Sequence, residues 1–247
     1  MAGEDNGMTK TTVKIIIYSL LVISGLFAQR ETVGFEFNQH DRKFDSMQIE
    51  SNDLSMTYRT ELPSGTRFAA SLGLDYSKLF EDNSAKFPLL KSTDQVFIKF
   101  GGLQKYKFLY AKGAVEFYSI KGNTVEITGS YSKVIHHNVY RIFEFPLSAG
   151  FTIPINAFDI YLGVNKVYFY GTNEKDISIN NSGIKTNLGS DDRRTFKSEL
   201  GLGAEATVLY RLSENLEFEL NFTRYEGKDY SVRLSVWGPL KRMFRTH

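Results

Sequence analysis

The chain has 247 residues, and its 30 lysines and arginines nearly balance its 28 aspartates and glutamates, so that the net charge is +2. This even mixture argues against the basic stripe of a nucleic-acid-binding protein. The absence of cysteine excludes disulfide frameworks, zinc–thiolate sites and thiol catalysis.

The first predicted element is a signal peptide. Lys10 and Lys14 precede an apolar run from Ile15 to Phe27, which is followed by Ala28 and then by polar sequence. A basic segment, a short apolar run and a small residue are typical of a secretory signal peptide, and the run is too short to span a bilayer comfortably. We therefore predict export and cleavage after Ala28.

This prediction divides the chain into a signal peptide at residues 1–28 and one exported domain at residues 29–247. Residues 1–7 are acidic and do not fit a signal peptide, so Met8 is an alternative start. An uncleaved membrane anchor is the alternative interpretation of the apolar run. The exported domain is long enough for one large β domain.

After residue 28 the sequence pattern is that of β-strands, because apolar and polar residues alternate. Phe68, Leu72 and Tyr76, for example, lie on one register, and Ser71 lies on the other. Strands are predicted at 31–39, 48–62, 67–79, 138–152, 157–171, 195–211, 216–225 and 230–240, with further candidates at 95–102, 107–119 and 124–133.

The longest alternation, over residues 194–212, favours a membrane barrel over a soluble sheet. The pattern persists for about 17 residues, whereas ordinary strands have about 5–6. Its apolar face runs from Leu200 to Val208, which would cover about 19 Å of depth in a tilted strand. Phe196 and Tyr210 flank this face, and aromatic residues at such ends are typical of membrane interfaces. We expect this face to contact lipid.

The connections suggest the number of strands. Transmembrane barrels place short turns on one side and long loops on the other, so an even number of strands separates two long loops. One of the three further candidates must then belong to an extended hairpin or loop, and the total is ten, with eight and twelve as alternatives. Pro146 lies inside a strand candidate, where we expect a bulge. Short turns are predicted at 62–67, 153–158 and 211–217, candidate turns at 103–107 and 121–123, and long polar connections at 80–94 and 171–194.

The strand pattern resembles that of the small outer-membrane β-barrel proteins of Gram-negative bacteria, the class that includes the opacity, OmpA-barrel and OmpX-like proteins. The resemblance covers the whole mature chain and implies an antiparallel up-and-down transmembrane β-barrel in the bacterial outer membrane. It also implies contact with outer-membrane lipid and lipopolysaccharide, and folding by the barrel assembly machinery. Such proteins usually end on an aromatic residue, whereas here Phe244 precedes the end by three residues.

In such a barrel the charged register of each strand faces the lumen. These charges could line a solute pore, or they could form ion pairs that fill a narrow lumen. Since about eight strands leave an interior that side chains just fill, we favour the plug at about ten strands. The charged residues on this register are Arg59, Glu61, Lys112, Glu116, Lys197, Glu199, Glu205, Arg211, Glu217, Glu219 and Arg233.

The sequence carries no recognisable catalytic, metal or cofactor motif. The omptin-type surface proteases require Asp-x-Asp and Asp-x-His near the rim, and neither pattern occurs here. His136 and His137 are adjacent, so on a strand they would point to opposite faces and suit one metal ion poorly. His40 and Asp41 could form a dyad, although a polar loop is the favoured interpretation. We expect no cofactor, no metal and no catalytic residues.

The sequence leaves several functions open. The leading hypothesis is a non-enzymatic outer-membrane barrel that serves envelope integrity or surface contact through its loops, with a surface ligand that the sequence does not specify. The alternatives are a narrow pore for small solutes, a barrel-embedded hydrolase and a soluble exported β-barrel. Basic residues near the outer rim could clamp lipopolysaccharide phosphates, although solvated loop charges are the favoured interpretation; these residues are Lys175, Arg193 and Arg194.

Overall fold

The computed structural model describes residues 30–44, 47–81, 90–127, 132–181, 184–213, 216–226 and 229–239. The signal peptide predicted at residues 1–28 lies outside these ranges. Within them, no helix is long and apolar enough to span a membrane. The strands are β1 (Arg30–Phe44), β2 (Met47–Glu61), β3 (Arg67–Glu81), β4 (Leu90–Tyr106), β5 (Leu109–Ile127), β6 (Ser132–Ile155), β7 (Phe158–Asn181), β8 (Ile184–Glu199), β9 (Gly203–Ser213), β10 (Leu216–Arg224) and β11 (Tyr230–Pro239).

The strands close into an antiparallel barrel. They pair in the order β6-β5-β4-β3-β2-β1-β11-β10-β9-β7-β8, and a further pairing of β6 with β7 closes the ring. β8 and β9 share one position in this ring, because β7 pairs with β9 from Phe158 to Asn165 and with β8 from Tyr168 to Asn181. The ring therefore has ten strand positions, which confirms the predicted all-β barrel of about ten strands.

The two ends of the barrel differ. At one end, which we call the turn end, short turns join the strands, and Arg30 and Pro239 lie close to it. Gly65 (φ 78°) and Asn156 (φ 52°) adopt the left-handed backbone conformation in two of these turns. At the other end, the loop end, β6 and β7 reach furthest with 24 residues each, whereas β10 has 9.

The prediction of a long loop at 171–194 is wrong, because most of these residues belong to the paired strands β7 and β8. Polar composition does not distinguish a loop from a sheet that extends beyond the membrane, since such a sheet also meets water. The candidate strand at 124–133 is absorbed in the same way into the β5–β6 hairpin, and residues 121–123 lie within β5 rather than in a turn. Of the predicted connection at 80–94, residues 82–89 lie outside the described ranges.

Pro146 does not produce the expected bulge. The β5–β6 register is the same on both sides of it, with Gly113 opposite Leu147 and Glu116 opposite Glu144. The β6–β7 register also runs through Pro146 without a shift. A proline removes only a hydrogen-bond donor, so the ladder can lose a bond without the insertion of an extra residue.

The predicted strand at 195–211 is interrupted at residues 200–202. The amide of Leu200 donates to the carbonyl of Val167 at 3.0 Å, and the Leu200 side chain is buried inside the barrel at 2% exposure, whereas Leu202 is 63% exposed. The alternation therefore shifts by one residue: odd-numbered residues are the exposed ones at the end of β8, and even-numbered residues face outward on β9. The prediction that this face points out of the barrel is confirmed for Leu202 and Val208, which are exposed, and is wrong for Leu200.

Two glycines, Gly201 and Gly203, lie at the interruption between β8 and β9, and both are close to the beginning of the β10–β11 connection. A Cβ on Gly201 would lie 2.8 Å from the Cβ of Glu226, and a Cβ on Gly203 would lie 2.7 Å from the Tyr225 ring. A larger residue at either position would have to displace this connection. Glycine therefore lets the β10–β11 connection pack closely against the interrupted strand.

The barrel wall has an apolar outside and a polar inside. Leu54, Leu72 and Leu220 are exposed on its outer face, and their inward neighbours Ser55 and Ser71 are buried. A water-soluble protein buries its large apolar residues and exposes its polar ones, whereas a membrane barrel presents an apolar band to lipid. The fold is thus that of a transmembrane β-barrel.

Candidate functional site in the barrel lumen

Ion pairs fill the turn-end part of the lumen. Glu217 is fully buried and pairs with three arginines: with Arg59, with Arg30 at 2.5 Å and with Arg211 at 3.4 Å. The Arg59 guanidinium also lies 4.2 Å from the ring centroid of Trp237, in a cation–π contact. The Glu217 carboxylate therefore connects β10 to β1, β2 and β9 through ion pairs inside the barrel.

Other ion pairs cross the lumen between strands that are not neighbours. Arg42 on β1 pairs with Glu144 on β6, and these strands lie on opposite sides of the ten-membered ring. Lys112 on β5 pairs with Glu205 on β9 in the same way. Pairs of this kind can form only through the interior, so they occupy the lumen rather than line it. A third ion pair across the lumen joins Lys105 on β4 to Asp159 on β7 at 3.1 Å.

The structure places most of the predicted lumen residues in this network. Arg233 pairs with Glu219 at 2.8 Å, and Glu116 pairs with a residue that the prediction did not include, Lys99, at 3.2 Å. Glu61 lies at the turn end and pairs with Arg67 at 3.2 Å. The network members that sequence reasoning missed are Arg30, Arg42, Arg67, Lys99, Lys105, Glu144 and Asp159.

Lys197 and Glu199 do not belong to the lumen. Both lie on the outer face, where Lys197 stands 5.8 Å from the ring centroid of Tyr170 and Glu199 pairs with Lys166 at 2.9 Å. The prediction assumed one unbroken alternation from 195 to 211, and the shift at residues 200–202 reverses the faces of everything before it.

A buried polar cluster on β1, β2 and β3 has the residue types of a hydrolase but not the geometry. Ser51 bonds to both Asp53 and Asp75, and Ser77 bonds to Ser51 at 3.1 Å. His40 Nδ1 lies 3.6 Å from Asp53, and none of the hydrogen bonds within the described ranges joins it to Ser51. A hydrogen bond between His40 and Ser51 would be needed for the histidine to activate the serine as a nucleophile. Asp41 lies on the opposite face of β1, so the dyad considered for His40 and Asp41 does not form.

An apolar cluster lies in the loop-end part of the lumen. Ile142 and Glu144 are successive inward residues of β6, so the cluster begins directly beside the buried Arg42–Glu144 pair. Tyr225 joins it from the end of β10 and donates to Asn165 at 2.8 Å. Its buried members are Ile49, Phe97, Tyr118, Ile120, Tyr140, Ile142, Val167, Phe169, Leu200 and Tyr225, and Phe196 packs against them.

A sequence signal for this apolar cluster exists. Residues 167–170, Val-Tyr-Phe-Tyr, are apolar or aromatic on both registers, and Val167 and Phe169 are the inward pair. Two apolar faces on one strand segment indicate a segment that is covered on both sides. The prediction treated the inward register as polar throughout and so missed this part of the lumen.

Among the described residues, a small cavity remains within the ionic part of the lumen and reaches from Arg67 at the turn end to Tyr225 of the apolar cluster. It has a volume of about 170 Å³ and is lined by Arg42, Glu144, Glu205 and Trp237, among others. Arg42 Nε, Glu144 Oε2 and Trp237 Nε1 are buried without a hydrogen-bond partner in the described part of the chain. Such groups bind ordered water in proteins, and a cavity of this size accommodates several molecules.

Of the three basic residues considered for contact with lipopolysaccharide phosphates, only Arg194 has a described side chain. Arg194 is exposed near the loop end, but the side chains of Lys175 and Arg193 lie outside what the structure describes. The same holds for the side chains of His136 and His137. Among the described residues, no group of His, Asp and Glu has a geometry suited to a metal ion.

Comparison with known proteins supports the fold. No protein-family model and no curated protein matches the sequence. Among solved structures, the translocator domain of the autotransporter NalP from Neisseria meningitidis aligns with 94% of this chain and 96% of its own, at 12% identity and a TM-score of 0.50. The β domain of the Bordetella autotransporter Brka aligns with 86% of this chain and 100% of its own, at 9% identity and a TM-score of 0.50. At these identities the likeness shows an outer-membrane-type barrel fold.

Proposed function

We propose that the protein is a non-enzymatic outer-membrane barrel with a sealed lumen, which serves envelope integrity or surface contact. In this proposal the exported domain follows a cleaved signal peptide and is inserted by the barrel assembly machinery. The turn end faces the periplasm, and the extended β5–β8 hairpins project from the cell surface. The barrel acts through its wall and its loop end rather than through its interior.

The observation that carries the proposal is that ion pairs and an apolar cluster together occupy the lumen. Ion pairs such as Arg42–Glu144 and Lys112–Glu205 cross the interior, and an apolar cluster fills the loop end beyond them. Opening a path would require separating these ion pairs, which is unfavourable because it leaves buried charges without their partners. The name of the NalP structure describes a translocator domain. Translocation and a solute pore both need an open lumen.

The polar cluster around Ser51 supports the non-enzymatic part of the proposal. Ser51 bonds to the carboxylates of Asp53 and Asp75 rather than to His40. The cluster also lies inside the wall, where Ser51 and Ser77 are buried. A substrate would have to pass the apolar cluster or the ion pairs to reach it.

Single-channel recording in planar lipid bilayers tests the proposal. The purified full chain should first show the heat-dependent gel mobility of a folded barrel in mild SDS. The folded protein should then produce no stepwise conductance. A variant that shortens two side chains of the loop-end cluster, Tyr118→Ala with Phe169→Ala, serves as a comparison with a weakened closure. Reproducible conductance steps from the unmodified protein would overturn the sealed lumen and favour the narrow pore.

A further inference from the structure

The outer face of β6, β7 and β8 carries a groove of about 390 Å³ near the middle of β6 and β7. Phe145, Tyr168 and Tyr170 form its aromatic surface, and Lys197 and Glu199 form its polar side. The strand registers bring these side chains together, because Tyr168 lies opposite both Phe145 and Glu199, and Tyr170 lies opposite Lys197. Both tyrosines are 42% exposed, so the groove is open to the surroundings of the barrel.

One cation in this groove is uncompensated. Lys166 pairs with Glu199 at 2.9 Å, so these two charges cancel. Lys197 stands over Tyr170 at 5.8 Å from the ring centroid, and no ion pair among the described side chains includes it. A lysine ammonium held over an aromatic ring beside open space is available to an external anion.

The depth of the groove matches that of lipid headgroups. Phe158 lies at the turn end of β7 and stacks on Tyr210 at 4.6 Å, and we assign this aromatic pair to the interface on that side because aromatic residues are enriched there. Tyr168 follows Phe158 by ten residues on the same strand. In a strand tilted by about 45° this separation corresponds to about 24 Å of depth, which equals the height of the apolar band of such barrels, about 25 Å.

The wall on the membrane side of the groove is apolar. Leu147, Val164 and Leu202 are exposed there, and Leu147 pairs with Lys166 at the lower margin of the groove. An amphipathic molecule lying along this wall would place its hydrocarbon against these residues. Its headgroup would then lie at the level of Tyr168, Tyr170 and Lys197.

We propose that this groove binds a phosphorylated lipid of the outer leaflet. The phosphate contacts the Lys197 ammonium, the tyrosine hydroxyls lie within the headgroup layer, and the acyl chains cover Leu147, Val164 and Leu202. The inference rests on the proposed outer-membrane location but not on the sealed lumen. It concerns residues of the wall that differ from the rim residues Lys175, Arg193 and Arg194 considered from the sequence.

Native mass spectrometry of the folded full chain tests this site. The probes are lipid A with its two phosphates and the same lipid after enzymatic dephosphorylation, each added to the protein in mild detergent. The test variant is Lys197→Gln, and the matched control is Lys121→Gln, which removes another exposed lysine, on β5. A second test variant, Tyr170→Ser, removes one of the three rings of the aromatic surface and keeps the charge of Lys197.

The charge-assisted contact predicts about tenfold weaker binding of the phosphorylated lipid to Lys197→Gln, since such contacts are among the stronger hydrogen bonds. Lys121→Gln should bind it like the unmodified protein, and the dephosphorylated lipid should not distinguish these two lysine variants. Tyr170→Ser should also bind more weakly. Equal binding by Lys197→Gln and Lys121→Gln, or equal binding of both lipids to the unmodified protein, would overturn the proposal. Heat-dependent gel mobility of each variant shows separately whether the barrel itself is intact.

Discussion

The turn-end and loop-end halves of the lumen are filled differently: ion pairs occupy the turn end, whereas the loop end combines the apolar cluster with the buried polar cluster around Ser51. At the turn end, buried charges such as Glu217 and Arg59 face inward while leucines face lipid. At the loop end, Ile120 and Ile142 face inward and Lys197 faces outward. The difference follows from the surroundings of the wall: within the membrane its outside is hydrocarbon, whereas beyond the membrane its outside is water. The inward face of β5, β6 and β7 therefore becomes apolar where the proposed position of the barrel takes the sheet out of the bilayer.

The largest effect is expected from Glu217→Ala, which leaves Arg59 buried without its carboxylate. Loss of one partner of a buried ion pair costs about 3–5 kcal/mol. Urea unfolding in lipid vesicles measures this loss, with Trp237 as the fluorescence probe because it is the one tryptophan of the chain. The double variant Arg59→Met with Glu217→Leu is the control and should recover part of the stability. A loss below about 1 kcal/mol would mean that the turn end does not depend on its charges.

The corresponding change at the loop end is Ile142→Ala. Ile142 is fully buried in the apolar cluster, and removing its methyl and methylene groups leaves a cavity that costs about 2–4 kcal/mol. The same urea titration reports the loss. Val139→Ala, on the same strand but only partly buried, should cost clearly less. If both variants lose the same stability, the loop-end lumen is not a packed core.

Two arginine substitutions sharpen the contrast across the outside of the wall. Leu72 lies near the middle of the apolar band on β3, so Leu72→Arg should cost about 2–3 kcal/mol. Leu202 lies closer to the loop-end boundary, where its replacement by arginine should cost about 0–1 kcal/mol. Folding yield into vesicles, read as the fraction with heat-dependent gel mobility, compares the two. An equal yield would contradict the assigned depth of the band.

The smallest effect is expected from Glu199→Ala. Its ion pair with Lys166 lies on the outer face, and Glu199 is largely exposed, so the loss should be about 0–1 kcal/mol. A loss as large as that of Glu217→Ala in the same titration would return Glu199 to the lumen, where unbroken alternation had placed it. The pair of glutamates thus tests the shift at residues 200–202 directly.

Sequence reasoning predicted the wall well because strand alternation is a local property. A period of two places Arg59 and Glu217 on one face and Leu72 and Leu220 on the other without any knowledge of their neighbours. The same local rule assigned Lys197 and Leu200 to the wrong faces, since one irregular step reverses every side chain on one side of it. Nothing within 195–211 marks that step except Gly201 and Gly203, whose neighbours Glu226 and Tyr225 lie more than twenty residues further along the chain.

The sequence by itself determined a barrel of about ten β-strands with an apolar outer face and a charged inner face. The strands and their two faces follow from residues that are close in the chain. Only the tertiary structure decided which charges meet. Arg42 and Glu144 are 102 residues apart and belong to strands on opposite sides of the ring. Their pairing depends on closure of the barrel and on the offset between strands, which no local pattern encodes.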